Sequence, residues 1–353
     1  ETILSTVRGK NKLLASSDSI LKFFPINPFL LAMLYRKLGN SEMSISEISL
    51  GTWGVGEGID ATSLSSCLFT ALDLGINLID TSNSYASGAA ESFLGQTLTG
   101  INRSSYYLAT KVFFPVTPGD GGLSAKQIKK NIDSSLHRLN VDYVDLYQCH
   151  SYDKETPLLE TMTALTDIVR QGKVRYIGFS EWTPCQIKAA LELVDVEPFI
   201  SSQPQYSMLW RAPEADVFPL CAAHGIGQLV WSPLAQGILS GKYQPGQAPA
   251  TGSRAANTQM NAYLLRELFS DAHLRAVRDL SPISQDLGLT MPQLALAWVL
   301  RKACVSSAII GASRPEQVVD NVAASGVRLE AKVLEKIDQI LLPVLSKHHG
   351  SVL

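Results

Sequence analysis

Asp80, Tyr85, Lys111 and His150 each stand at or just beyond the end of a short apolar run. Asp80 closes Ile76-Asn77-Leu78-Ile79, with Tyr85 close behind it; Lys111 closes Tyr106 to Thr110; His150 closes Val144-Asp145-Leu146-Tyr147-Gln148-Cys149. Singly, each has an ordinary structural explanation: a strand-end Asp caps or turns, a Lys is solvated, a His is hydrogen-bonded. At the ends of successive strands, an acid, a phenol, an amine and an imidazole converge on one rim. That set suits carbonyl reduction. A carbonyl taking up hydride gathers negative charge on oxygen, which a proton donor or strong hydrogen bond stabilises. Tyrosine is a weak acid with a reference pKa of about 10. A neighbouring lysine cation lowers that pKa by favouring phenolate. The expectation is therefore Tyr85 as proton donor, Lys111 tuning it, Asp80 holding Lys111 charged, and His150 polarising or orienting the carbonyl.

Past Tyr35 the sequence alternates apolar β-type runs with helical periodicity. The strands are Ile45 to Leu50, Ile76 to Ile79, Tyr106 to Ala109, Tyr143 to Gln148, Val174 to Phe179, Phe199 to Ser202, Gln228 to Trp231 and Ser307 to Ile310. The helices are Ser63 to Leu74, Ala89 to Leu98, Ala125 to Leu139, Leu158 to Arg170, Pro184 to Leu193, Ala215 to Ala223, Pro292 to Arg301 and Pro315 to Val322, with a terminal helix over Val327 to Leu341. Short continuous apolar strands belong to parallel sheets buried on both faces. Eight such units close most simply into an α/β (β/α)8 TIM barrel. A doubly wound sheet would carry GxGxxG after its first strand, and Gly51-Thr52-Trp53-Gly54-Val55-Gly56 does not fit that fingerprint. Ser232 to Thr290 is too long for an ordinary strand–helix loop, includes a helical stretch over Tyr263 to Gln285, and reads as a lid or cofactor clamp on the active rim.

The chain resembles the aldo-keto reductases, in the branch that contains the Shaker-type voltage-gated potassium channel β subunits. The resemblance runs from Tyr35-Arg36-Lys37-Leu38-Gly39 to about Leu341. Its motifs are Leu50-Gly51-Thr52-Trp53, Gly75 to Thr81, Thr110-Lys111, Gly172 to Ser180, Trp231-Ser232-Pro233-Leu234 and Gly311-Ala312-Ser313. It implies an NADP-dependent oxidoreductase whose Asp, Tyr, Lys, His tetrad falls on Asp80, Tyr85, Lys111 and His150. It also places the cofactor, NADPH or NADP+. Thr52 and Trp53 would line the floor beside Asp80. Ser180 and Gln203 would hold the nicotinamide amide, with Trp231 stacked on the ring. Ser232, Pro233, Leu234, Ala235 and Gln236 would follow the pyrophosphate, with Lys242 reaching over it and Arg254 coming from the long loop. Gly311, Ser313, Arg314, Gln317, Asp320 and Asn321 would take the adenosine end, and Lys242, Arg254, Ser313 and Arg314 favour NADPH over NADH. A glycine-containing turn between the last strand and a helix independently suits an anion.

Two departures bear on function. The channel subunits carry Asn where this chain has His150, which favours a working reductase over a regulatory channel subunit that senses redox state through bound NADP(H). Glu181 stands where relatives carry Asn or Arg, and a carboxylate near a polyanionic cofactor is expected to point elsewhere. Trp53, Phe113, Phe114, Tyr152, Trp182, Tyr206 and Trp210 suggest an aromatic mouth for a small carbonyl substrate.

The chain has 353 residues, and Lys plus Arg at 30 against Asp plus Glu at 32 leaves no basic surplus for nucleic acid. No apolar run is long enough for an integral membrane span, since Lys22, Pro25, Asn27 and Pro28 interrupt Ile20 to Leu34. Arg8, Lys10 and Lys12 precede that stretch, so a targeting segment competes with a poorly ordered leader over 1–34, or with a natural start at Met33. The reading is leader, single barrel over 35–345 and tail over 346–353. Widely spaced Cys67, Cys149, Cys185, Cys221 and Cys304 argue against a disulfide framework or metal site and for a reducing, cytoplasmic setting. The resemblance leaves a homotetramer and a monomer both open.

Overall fold

The computed structural model describes residues 33–56, 59–257 and 268–345. The leader up to residue 32, the tail over 346–353 and the start of the helix expected from Tyr263 lie outside those residues.

The chain opens with an antiparallel hairpin, β1 (Tyr35–Lys37) and β2 (Ser44–Ser46), in which Arg36 pairs with Ile45. Eight parallel strands then close a barrel: β3 (Ile48–Gly51), β4 (Leu78–Asp80), β5 (Tyr107–Val112), β6 (Val144–Cys149), β7 (Val174–Ser180), β8 (Phe199–Gln203), β9 (Gly227–Val230) and β10 (Val305–Ile310). Neighbours follow chain order, and β10 returns to β3. The expected barrel is the observed one.

The single strand expected over Ile45 to Leu50 is two. It breaks at Glu47, whose fully buried carboxylate accepts from Arg36 Nε (2.8 Å), Ser325 Oγ (3.0 Å) and Gly326 N (2.8 Å). The first half belongs to the hairpin, which plugs the barrel floor; the second is the first stave. Gly39 turns that hairpin at φ +53°, and a Cβ there would lie 2.4 Å from the carbonyls of Gly225 and Ile200.

Helices follow the staves: α1 (Ala61–Asp73), α2 (Ala89–Thr97), α3 (Ala125–Leu139), α4 (Leu158–Arg170), α5 (Pro184–Leu191) and α6 (Val217–Ala223). The long connection after β9 contributes α7 (Asp271–Asp279), α8 (Ser281–Asp286) and α9 (Met291–Leu300). Within the described residues the helix expected to reach Gln285 is two helices, because Pro282 cannot continue a helical ladder and sits in the first turn of α8 instead. Capping boxes, Thr183 with Gln186 and Thr290 with Gln293, start α5 and α9, each with proline in its first turn. After β10 come α10 (Pro315–Val322) and α11 (Ala331–Leu341), the latter burying Ile337 and Leu341.

The inside of the barrel changes character with height. Leu78, Ala109, Leu146, Ile200, Leu229 and Ile309 form an apolar layer above Leu38, Met43 and Ile45 of the plug. One pleat further along their strands, about 7 Å nearer the C-terminal rim, the same inward positions are Asp80, Lys111 and Gln148. Strand periodicity therefore aims these polar side chains into the barrel, and the apolar layer beneath shuts water out from below.

Candidate active site

Lys111 Nζ is fully buried and donates to Asp80 Oδ2 (2.6 Å), the Thr81 carbonyl (2.8 Å) and Tyr85 Oη (3.2 Å). An ammonium has three N–H donors, and all three are engaged. Tyr85 Oη accepts from Lys111, so its own proton is free to point outward. Asp80 Oδ1 accepts from Gln203 Nε2 (2.9 Å) and Gln148 Nε2 (3.5 Å), so each carboxylate oxygen of this buried anion has a donor. His150 follows β6 directly. Its Nδ1 is 3.1 Å from Ser82 Oγ, and its ring meets Phe114 and Tyr85 edge-on at centroid distances of 4.9 and 5.7 Å. The four residues singled out from the sequence are thus brought together at one rim.

Tyr85 opens a tight turn, Tyr85–Gly88, in which Ala86 and Ser87 take left-handed φ values of 46° and 52°. Two successive non-glycine residues in that region are costly and persist only where the surroundings impose them. The turn projects the phenol back over Lys111, whose ammonium lies 4.9 Å from the ring centroid.

Electrostatics refine the expectation for Tyr85. Burial pushes its pKa up, Lys111 pulls it down and Asp80 pushes it up again; the net is a rise, not the lowering expected from Lys111 alone, because desolvation outweighs one cation already shared with a carboxylate. Lys111 is raised: burial would lower it, but Asp80 and Tyr85 favour its charged form more strongly. His150 is held well below its ordinary value by burial and then by the Lys111 cation, so it is a neutral imidazole.

The residues assigned to the cofactor fall into three groups. At the rim, Thr52 N and Oγ1 donate to the Asp80 carbonyl (3.0 and 3.2 Å), and Ser180 Oγ donates to the Gln203 carbonyl (2.8 Å). Trp231 Nε1 donates to Glu181 Oε1 (2.9 Å). Just past Trp231, Pro233 and Ala235 are buried, Leu234 is half-buried, and Ser232, Ala235 and Gln236 adopt left-handed φ of 51°, 46° and 57°. Gln236 Oε1 is buried with no hydrogen-bond partner among the described residues. From the long connection, the Arg254 guanidinium lies over the Trp53 ring at 4.4 Å, and Lys242 lies beside Tyr243 at 5.1 Å. Beyond β10, Ser313 N and Oγ donate to Gln317 Oε1 (2.8 and 3.2 Å), Arg314 occupies the cap position of α10, and Asn321 is buried. Nothing lies within 4 Å of the place a Cβ on Gly311 would occupy. Asp320 is engaged within the fold. Its carboxylate accepts from Thr290 Oγ1 (3.0 Å) and Gln293 Nε2 (2.8 Å), joining α10 to the capping box of α9.

Sequence reasoning missed Gln148, Ser82 and the Thr81 carbonyl. Gln148 was findable: an amide in a strand buried on both faces needs partners, and Asp80 supplies one. Trp182 and Tyr206 do not line the mouth. Each is buried; Trp182 stacks on Phe179 at 5.2 Å, and Tyr206 stacks on Trp298 at 5.4 Å and hydrogen-bonds Arg301. Alternation along the strand exits carries these rings outward into the helix layer. Glu181, expected to point elsewhere, turns onto the exits of β8 and β9.

Among the described residues no group of three or more His, Cys, Asp and Glu could hold a metal, and no helix is long and apolar enough to cross a membrane. Residues 47–342 match the Aldo/keto reductase family. A Schizosaccharomyces pombe protein named "Putative voltage-gated potassium channel subunit beta" is 40% identical over 322 residues, covering 87% of this chain and 93% of that one. Proteins of Arabidopsis thaliana and Oryza sativa subsp. japonica, each named "Probable voltage-gated potassium channel subunit beta", are 39% and 37% identical over 319 residues, covering 88% of this chain and 97% of theirs.

Proposed function

The chain belongs to the aldo/keto reductase family, and from that premise we propose that it reduces a small aldehyde or ketone with NADPH, Tyr85 giving the proton. The observation that carries this reading is the fully engaged Lys111 ammonium, which makes Tyr85 Oη an acceptor and leaves its own proton for a substrate oxygen.

The residues at the rim fit a dinucleotide. Gly311 leaves room for close approach to the backbone, the buried Gln236 Oε1 has no partner among the described residues, and Lys242, Arg254 and Arg314 supply positive charge for phosphates. Arg254 over Trp53 gives the long connection the character of a clamp. Bound there, NADPH would supply the hydride. Ser180 and Gln203 would hold the nicotinamide amide, and Ser313 and Arg314 the 2′-phosphate. The five thiols are unpaired, which fits a reducing, cytoplasmic setting.

The carbonyl oxygen would accept the Tyr85 O–H. As charge builds on it, the proton moves across, and the phenolate left behind is stabilised by the ammonium 3.2 Å away. Asp80 keeps that ammonium charged and oriented. Neutral His150, whose Nδ1 is engaged by Ser82, has Nε2 left to orient the same oxygen. Phe113, Phe114 and Tyr152 furnish apolar surface for the rest of the substrate.

The test is Tyr85→Phe with NADPH oxidation by a generic aromatic aldehyde. Turnover is expected to fall by about 10²–10⁴-fold while nucleotide still binds. Undiminished turnover would remove Tyr85 from this role.

A second reading is favoured by the names of the relatives: a β subunit of a voltage-gated potassium channel. In that reading the chain assembles as a homotetramer and its bound NADP(H) reports redox state. His150 and the complete tetrad speak for turnover. Pull-down of a channel cytoplasmic domain, set against aldehyde turnover, separates the two.

A further inference from the structure

Glu181 follows Ser180 at the end of β7, with φ +57°. Among non-glycine residues that conformation favours Asn and Asp, so a glutamate there needs a reason. The reason is on its Oε1, which accepts from the Gln205 backbone N–H at 2.6 Å and the Trp231 indole Nε1 at 2.9 Å. One carboxylate oxygen thereby ties together the exits of three neighbouring staves, β7, β8 and β9. The backbone of Trp231 is fixed independently: its N–H donates to the Pro204 carbonyl (3.1 Å), and its carbonyl accepts from Tyr206 N (3.2 Å). What Glu181 adds is control of the side chain. An indole is free to rotate about two torsions unless its ring is held, and Trp231 is only half-buried. Its Nε1–H is its single hydrogen-bonding atom, and Glu181 occupies it.

We propose that Glu181 is a positioning residue, which clamps the Trp231 indole against the rim and so sets the plane on which the nicotinamide lies. The inference rests on the reading of the rim as the NADP(H) site, but its structural half is independent of that reading. Burial raises the Glu181 pKa, and the Gln205 and Trp231 hydrogen bonds, which favour the charged form, oppose the rise.

The proposal separates the acceptor from the charge. Glu181→Gln keeps an oxygen of the right reach; Glu181→Asn tolerates the left-handed backbone but is too short to reach Trp231; Glu181→Ala removes the acceptor altogether. The full chain labelled with 5-fluorotryptophan gives a fluorine resonance for Trp231, identified by its loss in Trp231→Phe, while that of fully buried Trp298 reports an intact fold. Titration with NADP+ and NADPH is read on the same samples. Glu181→Gln is expected to keep the Trp231 resonance and bind both nucleotides within about twofold of the parent. Glu181→Asn and Glu181→Ala are expected to shift and broaden that resonance and weaken both nucleotides about tenfold, raising the nucleotide KM more than they lower kcat. An unmoved Trp231 resonance in the Asn and Ala variants overturns the clamp; a moved resonance with unchanged affinity overturns its link to the nicotinamide. If the parent binds neither nucleotide, the reading of the site fails, and the fluorine spectra still decide whether Glu181 holds the indole.

Discussion

Lys111 and Asp80 are a buried ion pair, with side chains 0% and 4% exposed. Removing one member leaves the other charge uncompensated in a dry place. Lys111→Met is expected to cost about 3–5 kcal/mol of stability as well as turnover. Adding Asp80→Leu to Lys111→Met should restore much of that stability and none of the activity. Urea denaturation alongside aldehyde turnover checks both, and a double variant no more stable than the single one contradicts the pair's mutual dependence. His150 has the opposite electrostatics. Folded, it titrates well below 6.5 because burial and then Lys111 disfavour its cation. Unfolded, it takes up a proton near its ordinary value of 6.5. Between those two values the unfolded chain binds the extra proton, so stability is full above pH 6.5 and declines as pH falls below it. His150→Asn should flatten that decline. Denaturation midpoints measured from neutral pH downward test it, and an unchanged slope places the acid sensitivity elsewhere.

Among elements, the β1–β2 hairpin has the least obvious duty. It closes the floor of the barrel, so the apolar layer under Asp80 and Lys111 stays dry. Its turn depends on Gly39, where both the positive φ and the 2.4 Å approach to two carbonyls exclude a Cβ. Gly39→Ala is expected to cost more than about 2 kcal/mol, read as a lowered thermal midpoint. A midpoint within error of the parent would mean that the plug yields without disturbing the barrel. Most elements were legible in the sequence: α3, α4 and α10 span the residues their periodicity indicates. The strand break at Glu47 was not legible, because one charged residue within Ile45 to Leu50 does not itself mark a break, and only its partners, Arg36 across the hairpin and Ser325 and Gly326 far along the chain, make a buried carboxylate tolerable there.

At the scale of the molecule, Glu47 joins the plug to the loop between α10 and α11. Burial pushes its pKa up, but the Gly326 N–H, Arg36 and Ser325 outweigh this and hold it below 4.5. Its contribution is therefore present above pH 4.5 and lost as pH falls through its lowered folded value. Glu47→Gln should lower stability at neutral pH and shrink the pH dependence below 4.5, followed by denaturation at fixed pH values. The strands and the polar residues Asp80 and Lys111 at their ends were legible in the sequence, because a period of two and a buried parallel sheet leave little freedom in what a strand end faces. Tertiary structure alone decided which groups partner one another. It alone turned Glu181 onto Trp231, gave Asp80 the amides of Gln148 and Gln203, set Asp320 on the cap of α9, and sent Trp182 and Tyr206 into the helix layer. Hydrogen bonds between side chains far apart in the chain depend on ångström-scale approach, and one-dimensional patterns do not encode that distance.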